Sequence, residues 1–238
     1  KKISKIYKTD HFICSDYKEI TRAIYYDNKN YDYINGWINI FSTKKKLGNG
    51  VIFKSKKVFN EKYLINKNFN TTHLISIIQK YTFSFFVKNN LMKILNYFIF
   101  YLFKFKKNNY NSYKDITYPL SSYGVDIKEV IKPNSFFDIQ VILKKKNLPN
   151  SLKNFILKCQ ELKLDGFVIG IKMHKKNVNY LSFADNGVSI NINQIFNTDN
   201  FYDQFKKIKK LHNYVIKQNH KIYLCKDFLI NKNDFKFN

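Results

Sequence analysis

The last hundred residues switch between two hydrophobic periods, and no other feature of the chain restricts its fold so tightly. In "SFFDIQVILK" (residues 135–144) Phe137, Ile139, Val141 and Leu143 recur at every second position. That period puts one side of a strand against a core. The spacing then changes to three and four residues, with Leu152, Phe155, Ile156, Cys159 and Leu162 forming the apolar face of a helix. Asn150 or Ser151 is the expected cap, and Asp165-Gly166 the expected end. "FVIGIKMH" and "GVSININ" return to strand periodicity. A second helix begins at Asp199 or a near neighbour, turns Phe201, Phe205, Ile208, Leu211 and Val215 inward, and stops near Asn219. "KIYLC" is the fourth strand. The order β-α-β-β-α-β predicts an α+β protein: an antiparallel sheet with helices on one face, and a ferredoxin-like run in the C-terminal half.

Upstream, "ISKIYKT" alternates, and Ser15 or Asp16 can cap a helix running to about Tyr26. "YDYINGWINIF" and "GVIFKSKKV" follow as strands, joined by the turn-forming "STKKKLGNG". From Asn66 to Lys107 the chain reads as helical or irregular and aromatic, and "KKNNYNSYKD" reads as a loop. Its most apolar window, Leu91 to Phe103, is too short and too interrupted by Lys93 and Asn96 to span a bilayer, so a buried amphipathic helix is expected there.

The alternation also says what the side away from the helices presents. Asp138 and Gln140 share it, as do Gly170, Lys172 and His174, and Ser189, Asn191 and Asn193. A plain solvated face in a chain with this much lysine would carry more lysine. Amides, a hydroxyl and a single lysine suit a surface that hydrogen-bonds a ligand or a partner domain.

The net charge of +25 would ordinarily predict a polyanion partner. Arg22 is the only arginine, however, and arginine supplies the bidentate geometry that phosphate and guanine edges need. Lys, Asn, Ile, Phe and Tyr all have AT-rich codons, so codon bias explains the charge at least as well as selection for a polyanion does, and nucleic acid is not the expected partner. Cys14, Cys159 and Cys225 are scattered without a CxxC pair, and the histidines show no HxxxH spacing. No metal site is expected.

Five segments in order carry a resemblance: "YINGWINIF…KLGNGVIF", "TYPLSSYG", "FFDIQVIL", "IGIKMHKK…LSFADNGVSIN" and "HKIYLCKD". Together they resemble FAD-linked oxidoreductases of the vanillyl-alcohol-oxidase superfamily, of the decaprenylphosphoryl-β-D-ribose 2-oxidase type. The resemblance covers residues 1–238 as the substrate-binding (cap) domain of that family, with 226–238 as the start of the return to a flavin-binding domain lying upstream. The chain has no GxGxxG or GxxxxGK phosphate cradle of its own.

The resemblance implies a sugar or glycolipid substrate of the polyprenyl-phosphate pentose kind, used in cell-envelope polysaccharide synthesis and oxidised at a secondary hydroxyl by hydride transfer to FAD. It implies a catalytic Lys226 beside flavin and substrate, with Tyr223 lining the same cofactor pocket. Trp37, Gln140, Lys172, Ser189 and Asn191 fall at its substrate-binding positions. An ammonium at Lys226 would stabilise the charge of a reduced ring. A short-chain NADH-dependent reductase consuming the keto product, and a cytoplasmic location with peripheral membrane contact, belong to the same expectation. Asp138, Ser189, Asn191 and Ser121 depart from the family's residues and leave the particular sugar open. Two other readings stand beside this one. The first is a basic ferredoxin-like module for RNA or protein, which for RNA lacks the stacking aromatics on the open face. The second is a stand-alone, non-catalytic cap fragment.

Overall fold

A computed structural model describes residues 6–26, 28–59, 81–87, 91–104, 109–117, 131–164, 166–174, 186–223 and 229. Among the described residues eight strands form one antiparallel sheet: β1 (Ile6–Cys14), β2 (Tyr33–Ile38), β3 (Gly50–Val58), β4 (Asn109–Ser112), β5 (Ser135–Lys144), β6 (Gly166–His174), β7 (Gly187–Phe196) and β8 (Lys221–Ile222). Their spatial order is β4-β1-β3-β2-β6-β7-β5-β8. The helices are α1 (Tyr17–Tyr25), α2 (Met92–Lys104), α3 (Tyr113–Thr117), α4 (Leu148–Glu161) and α5 (Phe201–Lys217), with a further helical stretch at residues 81–87. The class is α+β.

Helix ends follow local chemistry. Asp16 caps α1, its carboxylate accepting from the Lys18 and Glu19 amides at 2.9 Å each. The start of α4 differs from expectation: Asn147, in the left-handed region at φ 60, precedes Leu148, and Pro149 sits in the first turn. Proline fits there because a first-turn N–H has no helical partner to lose. The helix also ends earlier, at Glu161, where Lys163 turns left-handed at φ 52; Gly166 already belongs to β6. In α5 the cap is Asn200.

One core lies between the sheet and α1, α4 and α5. Ile20 and Ile24 of α1, Leu152, Phe155, Ile156 and Cys159 of α4, and Ile208, Leu211 and Val215 of α5 close over Ile38, Ile52, Ile139, Leu143, Ile171 and Ile190. Fully burying each such side chain contributes roughly 1.5–3 kcal/mol. Both long helices of the C-terminal half lie on this side, as the periodicity predicts.

Over the N-terminal strands a second core covers the opposite face. Trp37, Val51 and Phe53 are packed there under Phe83, Val87, Met92, Leu95 and Ile99. The Leu91–Phe103 window is therefore a helix with one buried side. The aromatic stretch roofs only part of the second face: past the N-terminal strands the core also takes in Phe136 of β5 and Ile195 of β7, at one end of the polar part across β6, β7 and β5.

Candidate functional site

Backbone register aligns the polar face into rows across the strands. Trp37 of β2 pairs with Gly170 of β6, Gly170 with Asn191 of β7, and Asn191 with Gln140 of β5. The Tyr223 N–H, just past β8, donates to the Gln140 carbonyl at 2.8 Å. Ile222 is buried in the helix-side core, so strand alternation turns Tyr223 to the polar side. Four residues from four adjacent strands, with Tyr223 just past the end of the fifth, thus stand in one transverse line about 19 Å long at ordinary strand spacing. The neighbouring row runs Asn35, Lys172, Ser189, Ile142 and Lys221.

Gly170 sits in the middle of the first row. Among the described residues a Cβ built on it meets nothing within 4 Å, whereas one on Gly36 would meet the Val51 carbonyl oxygen at 2.3 Å. Gly36 exists because the sheet leaves no room. Gly170 faces open space, so a ligand can approach the backbone between Trp37 and Asn191.

The polar side chains around this gap hold one another. Ser189 is 1% exposed, and its hydroxyl lies 2.8 Å from His174 Nε2 and accepts from Gln140 Nε2 at 3.4 Å. Ser189 therefore orients Gln140 and His174 and does not itself face the gap. Burial, helped by the Lys172 charge, lowers the His174 pKa, so the ring is neutral at neutral pH. Asn191 Nδ2 donates to Asn193 Oδ1 at 3.4 Å, and Asn193 Nδ2 donates to Asp138 Oδ1 at 3.1 Å. The carboxylate at Asp138 is thereby tied to the amides on β7.

Trp37 differs from its expected role of lining the substrate. Its ring is 4% exposed and lies 6.4 Å from Phe100 in the second core, forming the wall between helix α2 and the polar rows. Lys172 is exposed, while Gln140, Asn191 and Tyr223 are half-buried. Lys226 and Ser121 lie outside the described residues. Gly170 and His174 were legible on this face from alternation, but neither reads as a site residue without its neighbours. The available signal was a glycine in mid-strand with apolar residues on both sides.

A separate depression of about 470 Å³ lies between α1 and the start of α4, lined by Lys18, Arg22, Tyr25 and Lys145 among others. It is on the helix-covered side, away from the polar rows, and among the described residues it carries no carboxylate, thiol or imidazole. Among the described residues no group of three or more His, Cys, Asp or Glu side chains could hold a metal ion.

Compared with known proteins, the chain matches no family model and no curated protein.

Proposed function

We propose that the polar rows are the substrate wall of an FAD-dependent oxidoreductase, and that this chain is its substrate-binding part. The observation that carries the reading is Gly170: a position with open space above it, in line with the amides of Asn191 and Gln140. A pentose hydroxyl set needs donors and acceptors in fixed positions. The Gln140 amide is held by Ser189, and Asn191 by Asn193. Such pre-set groups lower the ordering cost of binding and fix which hydroxyl points outward.

Lys172 is the exposed cation of the second row and supplies a point charge for a phosphate or pyrophosphate on the glycolipid. The backbone at Gly170 fits the approach of a flat ring or a sugar, since no Cβ stands in the way. Tyr223 and Lys226 are the residues that would hold the flavin ring; bound FAD supplies the hydride acceptor. In this reading the Lys226 ammonium would offset the negative charge of the reduced ring. The sugar is of the polyprenyl-phosphate pentose class, oxidised at a secondary hydroxyl.

The test is to express the chain with the upstream sequence of its reading frame and record the flavin absorption band. A glycosyl phosphate should bleach that band. Lys226→Ala should slow the bleaching by roughly 10²-fold or more. Gln140→Ala should raise KM by about tenfold and leave the folded state intact. A protein without a flavin band, or one whose Lys226→Ala variant reduces at the original rate, would refute the proposal.

A further inference from the structure

Helix α2 is apolar on two opposite sides. Met92, Leu95 and Ile99 are buried in the second core. Ile94, Tyr97, Phe98 and Tyr101 repeat the same three- and four-residue spacing, yet are 53%, 38%, 43% and 52% exposed. The stretch at 81–87 does likewise: Phe83 and Val87 are buried beside α2, while Tyr81 and Phe85 are 71% and 57% exposed. Single exposed apolar residues are ordinary; six on adjoining helices, turned from the sheet, form a patch that calls for a cover.

Charge selects the cover. Between Glu61 and Asp115 the sequence has no acidic residue and nine lysines. The patch therefore sits in a purely cationic interval, which fits an anionic surface. A second copy of the chain brings the same charge, +25 overall, and is repelled. A phospholipid surface suits each part of the patch. Ile94 and the two phenylalanines suit the acyl boundary and the tyrosines the headgroup level, and the exposed Lys93 of α2 suits the phosphates. Among the described residues no helix is long and apolar enough to cross a membrane, so α2 would lie in the plane of the surface.

We propose that the outward face of α2, with residues 81–87, docks the protein on an anionic phospholipid surface. The docking face is distinct from the polar rows and does not depend on the oxidoreductase reading. Trp37 is packed under α2 on one side and starts the polar row on the other, so the two surfaces are joined by a single buried ring.

Sedimentation with phosphatidylcholine vesicles, with and without phosphatidylglycerol, tests the proposal on the purified chain without flavin or substrate. Binding should require phosphatidylglycerol, and the pair Ile94→Ser and Phe98→Ser should weaken it by about tenfold or more. Phe98→Trp, an independent variant, should give fluorescence that brominated lipid quenches. Absence of vesicle binding, equal binding by the serine variant, or an unquenched Trp at position 98 would each overturn the assignment. Displacement by RNA with the serine variant unaffected would point to a charge-only contact and overturn it as well.

Discussion

Gly170 pairs with Asn191 across β6 and β7, so a side-chain amide stands next to a residue with no side chain. Gln140 is the next residue along the same line. The gap this leaves is bounded by groups that are themselves hydrogen-bonded.

Filling the gap should separate stability from binding. Gly170→Val places its side chain in open space on a strand, so stability should stay level or rise by up to about 1 kcal/mol. Ligand binding at the row should fall sharply. Gly36→Val is the control: its Cβ collides with the Val51 carbonyl and the Ile52 side chain, and should cost about 3 kcal/mol. Urea unfolding of both variants checks the pair, and a destabilised Gly170→Val would show that the space is not there.

Acid should destabilise the fold through His220. The residue is buried, and among the described residues its Nδ1 has no hydrogen-bond partner. Burial, with a smaller contribution from Lys144, lowers its pKa from 6.5 to about 4. The unfolded chain then binds the proton more readily than the folded one. The contribution is complete above about pH 6.5 and is lost as pH falls towards 4, amounting to about 3 kcal/mol at most. The shift at His174 has the same sign. Urea midpoints measured from pH 7.5 to 4 should fall more steeply for the natural chain than for His220→Gln.

Thiol labelling should report unfolding. Cys14 and Cys159 are 2% and 0% exposed. Burial pushes the Cys14 thiol up to about 12, helped by Glu19 and Asp16, and raises Cys159 further. A thiolate is the reactive form, so neither should be modified in the native state. Mass mapping after brief labelling should find both unmodified, and both modified once urea is added.

How far the sequence reveals this arrangement depends on the element. In β5, β6 and β7 a two-residue period survives along each strand, and the polar face read from it is the face observed. β3 matches "GVIFKSKKV" from Gly50 to Val58 for the same reason. The strand at Asn109–Ser112 reads as loop because asparagine disfavours strands; it is ordered by pairing with Ile6–Thr9 of β1, a contact about a hundred positions away. The burial of Trp37 was equally hidden. Alternation places its ring on the polar side, but only packing by α2 makes that position a wall. Ser189 looked like a ligand contact by residue type, and His174 and Gln140 take up its hydroxyl instead.

The eight strands are joined in the middle by a short seam: among the described residues only Asn35, Gly36 and Trp37 of β2 are in register with Lys172, Ile171 and Gly170 of β6. Both rows cross that seam. A small change of twist between the two four-stranded halves would therefore widen or narrow the distance from Trp37 to Asn191 while each half kept its own geometry. The breadth of the polar wall is a property of three residue pairs, and substitutions at Ile171, which faces the helix-side core, would retune its fit without touching a side chain that meets the ligand.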